Sequence, residues 1–384
     1  MKKADKTFPR THAAIPAGPM KYHAGHFPPQ HLDWPRLVPL LGPASAALAR
    51  YDGLLAAVPN ASILLAPLTT QEAVLSSRIE GTQATMGEVL EYEAGGNLEA
   101  VAPEKEADIE EVLNYRRALR QAVNLMQKLP LCGRLLKEVH STLLAAVRGH
   151  DKGRGTYRTI QNYIGVYGRP IEDARFVPIP PEHVPDGMSA WEKYLHGTEP
   201  DMLVQLAIAH AEFESLHPFL DGNGRLGRML IPLFLFERKL LHVPMFYLSE
   251  YLETHRQTYY DKLLAVSREN DWTGWCEFFL RALTDQASQN ESKTRSILDL
   301  YKTRKEWIVK ITHSQHAIRA LDFLFGQPVL NGTHFVEHAG IPAPTARRIL
   351  KLCAEKGLLK VVRPASGRRT AVYRFPELLK ITEH

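Results

Sequence analysis

Apolar positions recur at helical spacing along most of the chain, and the breaks between them fall at glycine, proline and short polar runs. Helical patterns run over residues 44–57, 108–128, 131–148, about 185–196 and 202–215. The first 35 residues carry Pro9, Pro16, Pro19, Pro28, Pro29 and Pro35, which predicts an extended arm that either packs on the body later or stays mobile. Thr69 with Glu72 three positions on reads as a capping box and Gly81 as a stop, so a short capped helix is expected between them. Ser76 and Glu80 then lie one turn apart on one face, and a solvated surface is the simplest reading of the pair. A loop is expected from Ala94 to Pro103. Over 153–181 β-branched and aromatic runs alternate with Gly and Pro, which predicts a small hairpin or an irregular connection.

The densest apolar run, residues 229–236, reads as a buried helix starting near Asn223. The polar stretch 283–295 reads as an exposed helix running into a connector. A second unit begins near His316, with helices over 316–325, about 333–339 and 344–356, an extended piece at Pro328, a turn at Gly340 and a basic, glycine-containing hairpin over 358–374. This order resembles a winged helix-turn-helix.

Composition changes little until it is divided along the chain. The 384 residues are 45% hydrophobic and 23% charged, ordinary for a globular protein of two or three domains. No apolar run approaches a membrane span, and the N-terminal lysines have no apolar stretch behind them, so neither a membrane nor a secretory route is expected. Cys132, Cys276 and Cys353 show no metal or redox spacing, which suits a cytoplasmic protein. The net charge of +5 is uneven, because residues 316–384 hold 11 Lys and Arg against 5 Asp and Glu.

Candidate chemistry gathers in His217-Pro-Phe-Leu-Asp221-Gly222-Asn223-Gly224-Arg225-Leu-Gly227-Arg228. Gly222 and Gly224 allow a tight turn that brings N–H groups toward a ligand, and a helix beginning there turns its positive end to an anion. Arg225 and Arg228, three apart, share a helix face and can clamp two phosphates. Asp221 is a hard oxygen donor for Mg²⁺, and His217 suits a general base. Each residue alone has a structural reading as turn, solvated cation or packed histidine.

Together the string matches His-x-Phe-x-(Asp/Glu)-Gly-Asn-Gly-Arg-x-x-Arg at every specified position, and in this the chain resembles the Fic family. The resemblance implies a mainly α fold: an all-helical core with a small β-hairpin flap, carrying here a C-terminal winged helix-turn-helix. The expected divisions are 1–107 (arm and inhibitory-helix region), 108–283 (catalytic core), 284–315 (helical connector) and 316–384 (winged helix). It implies transfer of AMP from ATP, with Mg²⁺, to a Ser, Thr or Tyr hydroxyl of a protein target or of the chain itself, with pyrophosphate released. His217 would be the base, Asp221 the metal ligand, and Gly222, Asn223, Gly224, Arg225, Gly227 and Arg228 the nucleotide site.

Ser76-x-x-x-Glu80-Gly81 looks like the family's inhibitory motif, which would pair Glu80 with Arg228 in place of the γ-phosphate. The family's flap, which holds the target segment by main-chain hydrogen bonds, would correspond to residues 153–181. Tyr260, of the Tyr259-Tyr260 pair, is a candidate nucleotide contact or a core residue. His140, alone in an apolar helix, reads as packed core. In the C-terminal unit Arg347, Arg348 and Lys351 would meet a DNA major groove, and Arg368 and Arg369 the flanking phosphates; protein contact or homodimerisation is the other use of such a unit. Two further functions stand beside AMP transfer: hydrolytic removal of AMP by the same site, and DNA-binding regulation with a nucleotide-sensing Fic part.

Overall fold

The structure is a computed structural model that describes residues 18–95, 102–145, 153–166, 168–366 and 369–383. The arm reaches the body as strand β1 (Met20–Lys21), and helix α1 (Trp34–Ala57) starts well before residue 44. Pro35 falls in its first turn, where a missing N–H costs nothing, while Pro39 and Pro43 lie inside it. Those prolines concealed the helix from the sequence reading. Tertiary packing holds it, through a bidentate Arg36–Glu277 pair at 3.0 and 2.6 Å and a Tyr51 hydroxyl that donates to the Met245 carbonyl at 2.6 Å.

Helices α2 (Ala61–Leu64), α3 (Ala66–Ile79) and α4 (Met86–Glu93) follow. The expected capping box at Thr69 and Glu72 is corrected here. Pro67 opens α3 earlier, so both residues lie inside the helix, which has no side-chain cap. Glu72 is buried instead, accepting from the Ser249 N–H (3.1 Å), the Ser249 hydroxyl (2.5 Å) and the Tyr115 hydroxyl (3.3 Å); burial pushes its carboxyl up to about 7. The capping box is at α4, between Thr85 and Glu88. Glu80 is the C-cap of α3, and Gly81 follows with φ 99°, a left-handed position that favours glycine.

Helices α5 (Pro103–Leu125) and α6 (Gly133–Leu143) come next. Parts of the loop expected over 94–103 and of the helix expected over 131–148 lie outside the described residues. In the flap region β2 (Phe176–Val177) has a single antiparallel bridge to Ile164, while its other neighbour is β1, paired in parallel with Met20 opposite Phe176. The arm thus supplies the flap with a strand that hairpin reasoning did not foresee. Residues 20–23 are fastened below it: Tyr22 donates to Glu212 at 2.6 Å, and His23 bridges Glu212 and Ser267 at 2.8 Å each.

The centre is built by α7 (Val184–Leu195), α8 (Met202–Leu216) and α9 (Asn223–Glu237). α8 is buried from Leu203 to Leu216 and α9 from Asn223 to Leu235, including the polar Gln205, His210, Glu212, Glu214, Arg225 and Arg228. Trp191, Phe213 and Phe234 on these helices, and Trp272 and Trp275 further along the chain, are all fully buried. α10 (Ser249–Thr254) and α11 (Arg256–Glu269) lead to α12 (Trp272–Thr312), 41 residues without a break. The expected boundary at 283/284 therefore falls inside one helix, and the start of the supposed exposed connector is core. Gln286, Asn290 and Thr294 are buried there; Gln286 accepts from the Tyr251 N–H at 2.8 Å, and Asn290 donates to the Tyr247 carbonyl at 3.4 Å. Polar residues satisfied in this way look like surface in a hydropathy pattern.

Beyond α12 come α13 (Ala317–Gly326), β3 (Val329–Asn331), α14 (Gly332–His338), α15 (Ala343–Glu355), β4 (Lys360–Arg363), β5 (Val372–Arg374) and α16 (Pro376–Glu383), with an antiparallel sheet ordered β3-β5-β4. This unit is tied to the end of α4 by Asn331, which donates to the Ala94 carbonyl at 3.0 Å, and by Arg363, which donates to that of Gly95 at 3.1 Å. Among the described residues no helix is long and apolar enough to cross a membrane.

Candidate active site

The site forms where α8 ends and α9 begins. His217 is the C-cap of α8 in a left-handed conformation, φ 47°, and five residues on Gly222, φ 77°, is the N-cap of α9. The loop between them is braced from inside. The Asn223 side chain accepts from the Phe219 N–H and donates to the Phe219 carbonyl, both at 2.8 Å. Asn223 is therefore engaged within the loop, and its side chain differs from the phosphate contact expected of it. Gly227 also has a packing use: a Cβ there would overlap the Glu214 carboxylate, so the glycine lets α8 and α9 approach closely.

Two residues that sequence reasoning missed hold the loop from behind. His140 stacks on Phe219, ring centroids 3.8 Å apart, accepts the Gly155 N–H at Nδ1 (3.0 Å) and so donates from Nε2 to the Asp221 carbonyl (2.9 Å). Burial keeps it neutral, its pKa lowered to about 4, so the core reading of His140 was right but incomplete. Arg158, 3% exposed, donates from Nε to the His217 carbonyl at 2.9 Å and from Nη2 to the carbonyls of Ile179 and Leu216. Its charge sits on the negative end of α8, and burial lowers its pKa to about 10. Nothing in the local sequence of either residue marks these roles, since Asp221 is 81 positions from His140 and His217 is 59 from Arg158.

His217 is half-buried, and burial lowers its pKa to about 4 against the 6.5 of a free imidazole, so at neutral pH it carries no charge. Nδ1 faces the Glu214 carbonyl at 3.3 Å, which can only accept. The proton of the neutral ring therefore lies on Nδ1 and the lone pair on Nε2, the arrangement a general base needs.

The first N–H groups of α9 have no partner inside the helix and make its start an anion site. Arg225, 3% exposed, lies beside it, with Nη1 3.6 Å from Glu111 and Nη2 3.4 Å from Asp221; its buried Nε and Nη1 have no hydrogen-bond acceptor among the described residues. Asp221 accepts the Gly222 N–H at 2.6 Å, which fixes its carboxylate. No cluster of three metal-ligating side chains occurs among the described residues; Asp221 is the hard oxygen donor that the motif loop offers.

Arg228 is the other clamp, and it is already held. Its Nε donates to the Ser76 hydroxyl at 2.9 Å, and Nη2 to the Ser76 carbonyl at 2.8 Å and to Glu80 Oε1 at 2.7 Å. Ser76 and Glu80 thus face Arg228 from one side of α3; Ser76 is buried, while the Glu80 side chain keeps 37% of its surface exposed. The Glu80 carboxylate also lies against Gly224, where a Cβ would overlap it, so it stands at the start of α9. Burial by itself would raise this carboxyl, but Arg228, by charge and hydrogen bond, and then Arg225 hold it below the usual range. A carboxylate of the chain's own occupies the place that the helix end and both arginines prepare for an anion.

Tyr260 lies at the rim, half-buried, with the guanidinium of Arg175 5.6 Å and that of Arg256 5.9 Å from its ring. Burial first, and then Glu80, push its hydroxyl up to about 12. Tyr259 is the core member of the pair, its hydroxyl 3.0 Å from His210 Nε2. In the C-terminal unit Arg347 and Lys351 are exposed on α15. Arg348 differs from its expected role: Nη1 donates to the Thr312 carbonyl at 3.0 Å, capping α12. Arg369 is exposed on the β4–β5 connection, and Arg368 lies outside the described residues.

Residues 38–124 match the N-terminal domain of the Fic/DOC family and residues 130–235 match the Fic/DOC family itself. A probable protein adenylyltransferase of Aquifex aeolicus is 28% identical over 211 residues, covering 52% of this chain and 58% of that protein. The protein adenylyltransferase fic-1 of Caenorhabditis elegans is 33% identical over 101 residues, covering 26% of this chain and 18% of the nematode protein. The chain thus spans less than two thirds of either relative. A crystal structure of a Fic family protein from Desulfovibrio desulfuricans has the same fold, with TM-score 0.56 at 22% identity over 89% of this chain and 96% of that one. With the motif at the start of α9 and both matched regions lying within one helical body, the chain belongs to the Fic/DOC family.

Proposed function

We propose that the protein transfers AMP from ATP to a Ser, Thr or Tyr hydroxyl of a protein, and that Glu80 restrains it. The observation that carries this reading is the neutral His217, its Nε2 lone pair free by tautomer, beside an anion site filled by Glu80. His217 takes the proton of the target hydroxyl, whose oxygen forms a bond to the α-phosphorus as the bond to pyrophosphate breaks. The N–H groups at Gly224 and Arg225 receive the phosphate oxygens, and Arg225 and, once freed, Arg228 neutralise the outer phosphates. Asp221 would hold Mg²⁺, which shields the phosphate charge when bound. The relatives named adenylyltransferases support the reaction class.

The experiment is incubation with α-labelled ATP and Mg²⁺, comparing the wild type, Glu80→Gly and Glu80→Gly with His217→Ala. Label on protein in the second alone supports the reading. No label in any of them, with ATP bound, refutes it.

We propose also that the C-terminal unit is a winged helix that contacts DNA through α15. The exposed Arg347 and Lys351, one turn apart, and the positive balance of residues 316–384 support this.

A further inference from the structure

Away from the motif, a cleft of about 650 Å³ opens between the start of α3, the ends of α4 and α5, and the C-terminal unit. Its size falls within the range of about 300–1,000 Å³ of small-molecule sites, which favour such junctions. One wall is apolar, formed by Ile63, Pro67 and Leu90 on one side and Phe323 on the other. The other carries Arg116, Arg120 and Arg319 with Glu93 and Asp322. Arg116 is paired with Glu93 at 2.5 Å, and Asp322 accepts the Tyr301 hydroxyl at 2.6 Å. Arg120 has no ion-pair partner among the described residues. Three guanidinium groups against two carboxylates leave one positive charge in the cleft.

His334 lines the same space with both ring nitrogens buried and without a hydrogen-bond partner among the described residues. A neutral imidazole has one donor and one acceptor, and leaving both unmet is costly, so a turn of this ring that brings one nitrogen to a ligand in the cleft would be favoured. We propose that the cleft binds a small organic anion, an apolar or aromatic body carrying a single negative charge. The body would lie on Phe323 and Pro67, and the charge at Arg120 within reach of His334.

The cleft bears on the site through two helices. α3 contributes Ala66, Pro67 and Thr70 to the cleft and carries Ser76 on the same rigid rod, roughly 9 Å further along. α5 contributes Arg116, next to Tyr115, whose hydroxyl donates to Glu72 of α3 at 3.3 Å. The cleft is formed while Glu80 holds Arg228, and a ligand that binds it more tightly in this state than in the released one strengthens the restraint. This regulatory half rests on the proposed function; the binding half does not.

The full chain is titrated with anilinonaphthalene sulfonate, a fluorescent aromatic monoanion of suitable size. Expected is one saturable site per chain, unchanged in His217→Ala, about tenfold weaker in Arg120→Glu and lost in Ala66→Trp, which fills the cleft. Arg120 is exposed, so its variant keeps the fold. Absence of saturable binding, or binding that neither variant alters, overturns the site. By reciprocity Glu80→Gly, which removes the charged one of the three bonds between α3 and Arg228, should weaken the dye; unchanged affinity there overturns the coupling alone. A chain that binds the dye as expected but transfers no AMP would refute the proposed function and leave the site standing.

Discussion

His217 and its supports make the sharpest claims at the scale of single residues. His217→Ala should lower transfer about 10²- to 10⁴-fold while leaving ATP binding close to wild type, because Nε2 acts on the target hydroxyl and not on the nucleotide. The check is labelling set beside equilibrium binding, and full activity would remove the base from the mechanism. The pH dependence follows from the depressed pKa. An ordinary histidine would lose base function as pH falls through 6.5, whereas this one stays neutral until about 4, so transfer by Glu80→Gly should hold through pH 6.5 and fall only toward 4. Stability has its own window: the unfolded chain takes up the proton near 6.5 and the folded one near 4, so the contribution is full above 6.5 and lost as pH falls between them. Arg158→Ala should leave the carbonyls of His217, Leu216 and Ile179 short of a donor and destabilise the protein by about 2 kcal/mol, read by denaturant unfolding. The motif was legible in the sequence because its residues are contiguous and each needs its neighbours. Arg158 and His140 were not, because only the fold brings them to the loop.

α3 is the element on which the proposed control turns, and it was half legible. Ser76 and Glu80 could be placed on one face from spacing alone, yet nothing local showed what that face meets; a surface reading and the Arg228 contact fit the same pattern. The misplaced capping box has a similar cause. Thr69–Glu72 and Thr85–Glu88 both satisfy the spacing, and only Pro67, which starts α3 before Thr69, decides between them. The proposed restraint rests on the far end of this helix. With Arg228 bound to Glu80 Oε1, Glu80→Gly should raise labelling roughly ten- to a hundredfold, the worth of one charge-assisted contact to phosphate. Glu80→Asp keeps the charge but shortens the reach, so it should be restrained only in part. Glu80→Gly with Arg228→Ala should lose the gain, because a freed phosphate partner is useless once removed. Acid should not mimic the first variant near neutrality: Glu80 titrates below the ordinary carboxylate value, so its hold is present above that value and lost only as pH falls through the lower one.

Across the whole molecule α12 is the member that pattern reading divided wrongly, and the error bears on what the C-terminal unit can do. Gln286, Asn290 and Thr294 looked like a solvated connector, but all three are buried, and Gln286 and Asn290 are hydrogen-bonded to each other and to the helical body around the motif, so one helix joins both parts of the chain. Arg348 belongs to this joint. It caps α12 at Thr312, where a cation meets the negative end of a helix, and replacing it should cost stability of the order of 1 kcal/mol by thermal unfolding while leaving DNA affinity little changed. Arg347 and Lys351 carry no such duty and stand exposed on α15, with Lys351 only loosely facing Glu355 at 3.7 Å. If the unit contacts DNA, Arg347→Ala with Lys351→Ala should reduce the slope of log affinity against log salt by about two and leave the unfolding transition in place, because two fewer phosphates release counterions. The two experiments pull in opposite directions, so each controls the other. A full-length chain that shows no salt-dependent retention on duplex DNA at low salt would refute the DNA assignment, and α15 would then count as a packing helix whose arginine serves the joint with α12.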